Sequence, residues 1–298
     1  MPQHTLARPQ NRLADRWPIS AFGDEIAPDL EVQIAVLQSH GVNALELRTA
    51  WGVNVIELGP QRLDRAARLL GASGIVVSAI GSPVGKASIE DDFEAELARL
   101  RAAIDAAQRL GTQRIRVFSF FIPDGRFADF RDEVLRRMSA LTRQAAAHDL
   151  LLVHENESYI YGDDALRCRD LMDSVGSPAL AMAFDPANFV QVGVRPFDEA
   201  WPLLRDHVRH LHIKDAVSVD RTGLPSYPSQ IPEERLMDSI RPAGEGEGQL
   251  RELFRGLVTQ DYKGYMVVEP HLQRRLPDLD AVQRFDVALK ALRSLIAP

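Results

Sequence analysis

The sequence predicts an α/β fold with a single domain, a (β/α)8 TIM barrel. Short apolar segments rich in β-branched residues alternate with longer amphipathic segments along the chain, a pattern typical of βα units around a parallel sheet. The alternation yields eight strand–helix pairs, which is more than a doubly wound sheet, the alternative, usually contains. The length of 298 residues also suits one barrel.

The predicted strands are apolar along nearly their whole length, as strands buried on both faces of a sheet should be. They cover residues 19–22, 44–47, 75–80, 114–118, 151–154, 180–184, 208–213 and 265–268. The amphipathic segments predict helices at 30–40, 61–72, 93–110, 133–148, 163–174, 197–206, 249–260 and 279–296. Glycines separate four of these helices from the next strand, at Gly41, Gly74, Gly111 and Gly264. We expect positive φ angles there, since a left-handed residue commonly ends a helix.

Two segments lie outside this alternation. Residues 1–16 are polar and rich in Arg, Gln and Pro, and they predict a flexible N-terminal arm in front of a barrel that spans 17–298. Residues 216–243 contain Pro, Ser, Gly and scattered charges with little periodicity. Because this segment follows the seventh strand, it should lie at the C-terminal face of the barrel, where long loops often cover a binding site. We interpret it as a lid-like loop.

The composition indicates a globular protein and argues against a nucleic-acid-binding or membrane-spanning one. Hydrophobic residues make up 45% and charged residues 26%, an ordinary globular balance, and the formal net charge is −7. An acidic chain argues against a nucleic-acid partner, and no apolar run approaches the roughly 20 residues of a membrane span. The single cysteine, Cys168, excludes an intramolecular disulfide and fits a reducing cytoplasm, so we predict a cytoplasmic protein with a buried structural thiol.

Polar residues with metal-binding side chains follow four successive predicted strands. We call them the candidate ligand set: Glu155, Asp185, His212 and Glu269. The C-terminal ends of barrel strands converge on one axial pocket, so these side chains should meet. One acidic residue after a strand usually caps a helix, and one strand histidine usually belongs to the core. Three carboxylates side by side, however, would repel each other without a cation. Oxygen-rich ligands favour Mn²⁺ or Mg²⁺, with Co²⁺ or Zn²⁺ as alternatives.

Further polar residues near the strand ends are candidates for substrate binding. They are Glu46, Arg48, Lys86, Arg116, His154, Asn188, Lys214, Glu245 and His271. For the basic residues the alternative is a surface charge or a salt bridge. Lys214 is the strongest of them, because it lies two residues after His212 on the same face of an extended chain. Glu245 lies in a glycine-rich turn, at 243–248, that lacks the Lys-Ser/Thr pair of a phosphate-binding loop.

From about Phe22 to Leu295 the sequence resembles the sugar phosphate isomerase/epimerase family, the xylose-isomerase-like TIM barrels. The motifs that carry the resemblance are Glu155-Asn156, Phe184-Asp185-Pro186-Ala187-Asn188, His212-Ile213-Lys214-Asp215, Gly244-Glu245-Gly246 and Glu269-Pro270. The resemblance implies a barrel with one divalent metal ion on the candidate ligand set, and with Glu155 and Glu269 as the catalytic acid/base pair. It also suggests a homodimer or homotetramer.

The chain departs from the well-studied epimerases at two places. Asn188 stands where many of them have a histidine, and an amide cannot carry a proton at neutral pH. Residues 216–219 contain no arginine where a substrate-binding one often lies, and Arg221 is the nearest. The specificity of those enzymes therefore does not carry over. The segments Asp24-Glu25-Ile26, Glu46-Leu47-Arg48, Ser82-Pro83 and His154-Glu155-Asn156-Glu157 resemble a separate branch of the family.

Four functions are compatible with these residues to different degrees. The favoured one is an isomerase or epimerase that moves a proton on a small sugar, keto-sugar or cyclitol through an enediolate. A keto-inositol or 3-keto-sugar dehydratase shares the first half-reaction. A DNA-repair nuclease like endonuclease IV needs ligands for three zinc ions and suits the acidic charge poorly. The intact ligand set argues against a catalytically silent sugar-binding barrel.

Overall fold

Eight parallel strands, named β1 to β8 in chain order, form the barrel of the computed structural model, which describes residues 16–223 and 231–297. Their bounds are Ile19–Ala21, Ala44–Leu47, Val76–Ile80, Arg114–Val117, Leu151–Glu155, Leu180–Phe184, Val208–Ile213 and Met266–Val268. Strands β2 to β8 pair in sequence order, and β8 pairs with β1. A parallel bridge between Phe22 and Glu46 brings β1 back to β2. The predicted single-domain TIM barrel is confirmed.

The α-helices of the described residues are named α1 to α10 in chain order. Their bounds are Leu30–Ser39, Gly59–Ser73, Phe93–Leu110, Phe127–Ala146, Ala165–Val175, Pro186–Gln191, Trp201–Leu204, Glu233–Ser239, Leu250–Thr259 and Ala281–Ile296. Aspartates begin several of them, and the side chain of Asp280 forms a reciprocal capping box with Gln283 at the start of α10. None of the helices in the described ranges has the length and apolar character needed to cross a membrane.

The observed helices differ from the predicted ones at two places. The helix predicted at 197–206 is broken into a π-helical turn at Pro196–Ala200, the short helix α7, and a 3₁₀ turn at Arg205–His207. Pro202 lies inside this stretch, and it has no backbone N–H for a continuous helix. The helix predicted from 133 begins earlier, at Phe127, so α4 is longer than expected.

Gly264 does not have the conformation that its position predicted. Gly41, Gly74 and Gly111 do have positive φ angles, of 64°, 70° and 70°, whereas after α9 the left-handed residue is Asp261, with φ 50°. Gly264 is needed for space instead, because a Cβ atom there would lie 2.4 Å from the carbonyl oxygen of Arg209.

The two segments outside the alternation are described in part. The predicted arm at 1–16 lies outside the described residues, except for Arg16. In the predicted lid-like loop at 216–243, residues 224–230 also lie outside them. The remainder of that loop contains helix α8 and a two-residue antiparallel pairing of Asp215–Ala216 with Ile240–Arg241. The described part of the segment therefore contains more regular secondary structure than its lack of periodicity predicted.

Candidate metal centre

The barrel brings the four side chains of the candidate ligand set to one point. Glu155 ends β5, Asp185 follows β6, His212 is the penultimate residue of β7, and Glu269 follows β8. All four are buried, and one donor atom of each lies within 4.8 Å of the others. Ligands bound to one ion at about 2.1 Å lie at most about 4.2 Å apart, so only small movements are needed to share a dication.

The hydrogen bonding at this point also fits a metal ion. Glu155 Oε2, Asp185 Oδ2 and His212 Nδ1 are buried without a hydrogen bond in the described structure. His212 Nδ1 lies 3.2 Å from Glu155 Oε1 and 3.8 Å from Asp185 Oδ2. Buried polar atoms normally have a partner, and three carboxylates around an imidazole are suitable ligands for a divalent cation. The residues present therefore fit the predicted ion.

The carboxylates of the set do not share one pKa. Burial alone would raise the pKa of Glu155, but the charges of His212 and Arg116 hold it well below its usual range. Burial likewise opposes ionisation of Glu269, and the charges of Lys214 and His271 outweigh it and lower its pKa. For Asp185 burial prevails and raises the pKa to about 6. One carboxylate of a crowded, buried set has a raised pKa when the negative charge of the set is incompletely compensated.

Glu46 and His210 form a layer directly below the candidate ligand set. Glu46 Oε2 lies 2.6 Å from His210 Nε2 and 3.3 Å from His212 Nε2, and all three side chains are fully buried. The sequence predicted Glu46 as a substrate-binding residue. The structure places it below His212, where its Oε2 is positioned to accept a hydrogen bond from Nε2 and Nδ1 faces the rest of the candidate ligand set.

Lys214, Arg48 and His271 surround Glu269. Lys214 Nζ lies 2.9 Å from both Glu269 Oε2 and Asp185 Oδ2. Arg48 donates to Glu269 Oε1 at 3.1 Å, and His271 Nε2 lies 3.1 Å from the same oxygen. One oxygen of Glu269 is thus held in place by two cationic side chains, while the other faces the candidate ligand set.

Two further predicted residues contact Glu155. Asn188 donates its Nδ2 proton to Glu155 Oε1 at 3.2 Å, and Arg116 Nη1 lies 3.2 Å from Glu155 Oε2. The backbone N–H of Asn188 donates to Asp185 Oδ1, so Asp185 also caps α6. The capping role and the ligand role fall on different oxygens of the same carboxylate, and they do not exclude each other.

The structure places the remaining predicted residues at different distances from this centre. Lys86 lines the mouth of the cavity and pairs with Glu157 Oε2 at 2.8 Å. His154 is fully buried outside the barrel lumen, with Nε2 2.9 Å from Ser119 Oγ. Glu245 is exposed on the glycine-rich turn, away from the residues that line the cavity.

A cavity of about 780 Å³ opens above the candidate ligand set. Glu155, Glu269 and Lys214 line its floor, and the predicted lid-like loop supplies part of its wall through Ile231, Pro232, Glu233, Leu236 and Met237. The Tyr159 hydroxyl donates to the carbonyl of Ile231 and accepts from its N–H, which anchors this wall. The volume suits a small organic substrate.

Some residues of the site were not selected from the sequence. Glu25 Oε1 lies 3.1 Å from His271 Nδ1 and accepts from Arg48 at 3.0 Å, while Asp24 accepts from Arg48 at 2.7 Å. Asp24 and Glu25 follow the end of β1. Their place after a barrel strand was the signal that could have identified them, since the same rule selected the candidate ligand set.

The chain matches one family model, described as the xylose isomerase-like TIM barrel, over residues 34–295. The comparison with curated protein sequences found no significant match.

Solved structures share the fold across nearly their whole length. The probable 3-DHS dehydratase AsbF of Bacillus anthracis is 18% identical, with a TM-score of 0.70 and coverage of 92% of this chain and 98% of that one. The IOLI protein, whose structure holds a zinc atom, is 13% identical, with a TM-score of 0.75 and coverage of 94% and 98%. A xylose isomerase-like TIM barrel protein of Mycobacterium smegmatis, in complex with magnesium, is 19% identical, with a TM-score of 0.67 and coverage of 95% and 99%. At these identities the likeness is one of fold.

Proposed function

The chain belongs to the xylose isomerase-like TIM barrel family, and on that premise we propose that it is a divalent-metal-dependent isomerase or epimerase of a small sugar, keto-sugar or cyclitol. One observation carries the proposal: the buried donor atoms of the candidate ligand set meet within 4.8 Å at the floor of an open cavity. Three carboxylates among the four residues favour Mn²⁺ or Mg²⁺ over softer ions. Zinc and magnesium in the two solved relatives support a divalent ion.

The ion, when bound, would supply Lewis acidity that polarises a carbonyl or hydroxyl oxygen of the substrate. Neighbouring cations lower the pKa of both glutamates of the ligand set, which keeps them ionised with a lone pair available for a proton, while it also makes them weaker bases than an ordinary carboxylate. Asn188 and Arg116 orient Glu155, whereas Arg48 and His271 orient Glu269. We propose that one glutamate removes the proton and the other returns it.

Solvent isotope exchange tests the proton transfer. The protein, loaded with Mn²⁺ or Mg²⁺, is incubated in deuterated water with a panel of aldoses, ketoses, keto-sugars and cyclitols. We expect a turned-over substrate to gain deuterium at the carbon next to its carbonyl, and we expect this to stop when a chelator removes the ion. A product lighter by one water would identify a dehydratase. Turnover without incorporation or loss of water would contradict the proposal.

The metal site is tested separately by substitution. Asp185→Asn removes one anionic ligand, and we expect metal affinity, measured by titration calorimetry, to fall at least about a hundredfold. Asp173→Asn is a matched control, because Asp173 lies on the exposed face of α5 and pairs with Arg169. Equal metal affinity in both variants would show that the ion, if any, binds elsewhere.

A further inference from the structure

Arg116 is a buried cation that uses few of its donors. It lines the cavity, yet only 6% of its surface is exposed. Within the described part of the chain its one hydrogen bond runs from Nη2 to the carbonyl oxygen of Ser82, at 3.4 Å, and its buried Nε makes none. A guanidinium carries five N–H donors, and a buried donor without a partner is costly. Arg116 therefore has unused donors at the cavity.

The ion pair of Arg116 with Glu155 does not use up the free N–H groups of the guanidinium. Its Nη1 lies 3.2 Å from Glu155 Oε2, but that oxygen accepts no hydrogen bond within the described residues. Arg48, on the opposite side of the site, has more partners: it donates to Asp24, Glu25 and Glu269 at 2.7, 3.0 and 3.1 Å, so three carboxylates compensate its charge. In the described ranges, Arg116 therefore has more N–H groups without a partner than Arg48 has.

Aromatic rings hold the Arg116 guanidinium in place without using its N–H groups. Its central carbon lies 4.9 Å from the centroid of the Phe118 ring and 5.3 Å from that of Phe22. Lys86 Nζ lies 4.9 Å from the centroid of the same Phe118 ring, and its side chain is 41% exposed at the cavity mouth. An entering anion would thus meet Lys86 first and Arg116 further in.

We propose that Arg116 binds a carboxylate of the substrate, so that the substrate is a hydroxy or oxo carboxylic acid of the sugar-acid type and not a neutral sugar. This inference rests on the proposed function, because Arg116 lies beside Glu155 of the candidate ligand set. A fixed planar guanidinium matches the two oxygens of a carboxylate. A phosphate carries nearly twice the charge, and Glu155, Glu157 and Glu269 line the same cavity, so a monoanion is favoured.

Three probes with one carbon skeleton test the assignment by titration calorimetry. They are glycerate, glycerol and glycerol 3-phosphate, each titrated into Mg²⁺-loaded and into chelator-treated protein. We expect glycerate to bind most tightly. Because glycerate can also chelate the metal, the deciding measurement is its dependence on Arg116. Arg116→Gln should weaken glycerate binding about ten- to a hundredfold, the loss expected for charge-assisted hydrogen bonds.

Arg116→Lys keeps the charge but not the planar pair of donors, and we expect an intermediate loss. Arg126→Gln is the matched control: Arg126 also stacks on an aromatic ring, that of Phe130, but it is 48% exposed and lies outside the cavity. Its glycerate affinity should equal that of the wild type. Thermal melting of each variant checks that it is folded. If Arg116→Gln is not folded, Arg116→Lys still tests whether binding needs the planar pair of donors.

The outcomes separate this inference from the proposed function. Equal glycerate binding by the wild type and both Arg116 variants overturns the carboxylate site, even where Mg²⁺ still binds. Tighter, Arg116-dependent binding of glycerol 3-phosphate overturns the choice of carboxylate. If the wild type binds no metal, the proposed function fails, and the ratio between wild type and variant in chelator-treated protein still decides the role of Arg116.

Discussion

At the scale of single residues, Glu46 lies where it would orient His212 as the proposed metal ligand. Both His210 and His212 direct Nε2 at the same oxygen of Glu46. The Phe22 ring packs edge-on against the imidazole of His212, with centroids 5.2 Å apart. With Nε2 donating to Glu46, the lone pair of His212 lies on Nδ1, toward the carboxylates. We therefore propose that Glu46 positions His212, and it is not among the residues that line the cavity.

Replacing Glu46 should weaken metal binding without touching a ligand. In Glu46→Gln the side chain keeps its shape but loses its charge, and its neutral amide oxygen is a weaker acceptor for the two imidazoles than a carboxylate. We expect the dissociation constant for Mn²⁺ to rise about ten- to a hundredfold, as for other partners of metal-bound histidines. Calorimetry on Glu46→Gln and on the exposed control Glu57→Gln measures this. An unchanged constant would show that His212 needs no such partner.

At the scale of elements, the glycine-rich turn is fastened to the end of β7 by one side chain. Asp215 accepts the backbone N–H groups of Gly244, Gly246 and Gly248 at 2.9, 3.0 and 2.8 Å. A Cβ atom on Gly246 would lie 2.4 Å from Asp215 Oδ1. The alternating glycines let the turn wrap around the carboxylate, and this explains the motif better than phosphate binding does.

Removing this anchor should cost stability. Asp215→Ala leaves four backbone N–H groups without their acceptor, those of Ala216, Gly244, Gly246 and Gly248. Hydrogen bonds to charged groups contribute about 1.5–3 kcal/mol each at most. We expect a loss of about 2–4 kcal/mol in the free energy of unfolding, measured by urea denaturation. Asp132→Ala, at a carboxylate that is 96% exposed, should change it by less than about 0.5 kcal/mol. A small loss for Asp215→Ala would mean that the glycine-rich turn is stable without the hydrogen bonds to Asp215.

At the scale of the whole molecule, the packing of helix α5 in the barrel buries its residue Cys168. Its side chain is fully buried, its Sγ donates to the carbonyl of Gly162 at 3.0 Å, and burial raises the pKa of the thiol well above its ordinary value. Only the thiolate reacts readily, so the native thiol should be inert. Cys168 is the only cysteine of the chain, and it can report on global opening.

The rate of thiol labelling should therefore follow unfolding. We expect native protein at pH 7–8 to react with a disulfide reagent far more slowly than urea-unfolded protein, with one thiol labelled at the end. Leu166→Cys adds a thiol two residues away on the same helix, at a position that is 71% exposed, and this thiol should react at once. Fast labelling of Cys168 in the native wild type would contradict the tight packing.

The sequence by itself determined the fold and the members of the candidate ligand set. Apolar strands alternating with amphipathic helices specify βα units, and parallel strands of a barrel must end on one face. Any polar residue just after a strand, such as Asp185 or Glu269, is therefore placed near the axis. Lys214, Arg116 and Asn188, which the sequence predicted as substrate-binding residues, lie beside that set in the structure.

Only the tertiary structure decided the depth and the partners of each side chain. Glu46 and Glu245 both looked like pocket residues, yet one lies below His212 and the other faces solvent. Arg48 and Arg116 both lie near the ends of barrel strands, yet Arg48 donates to three carboxylates, whereas the one hydrogen bond of Arg116 within the described residues goes to a backbone carbonyl. These differences depend on the tilt and stagger of strands far apart in sequence, and a local pattern does not contain them.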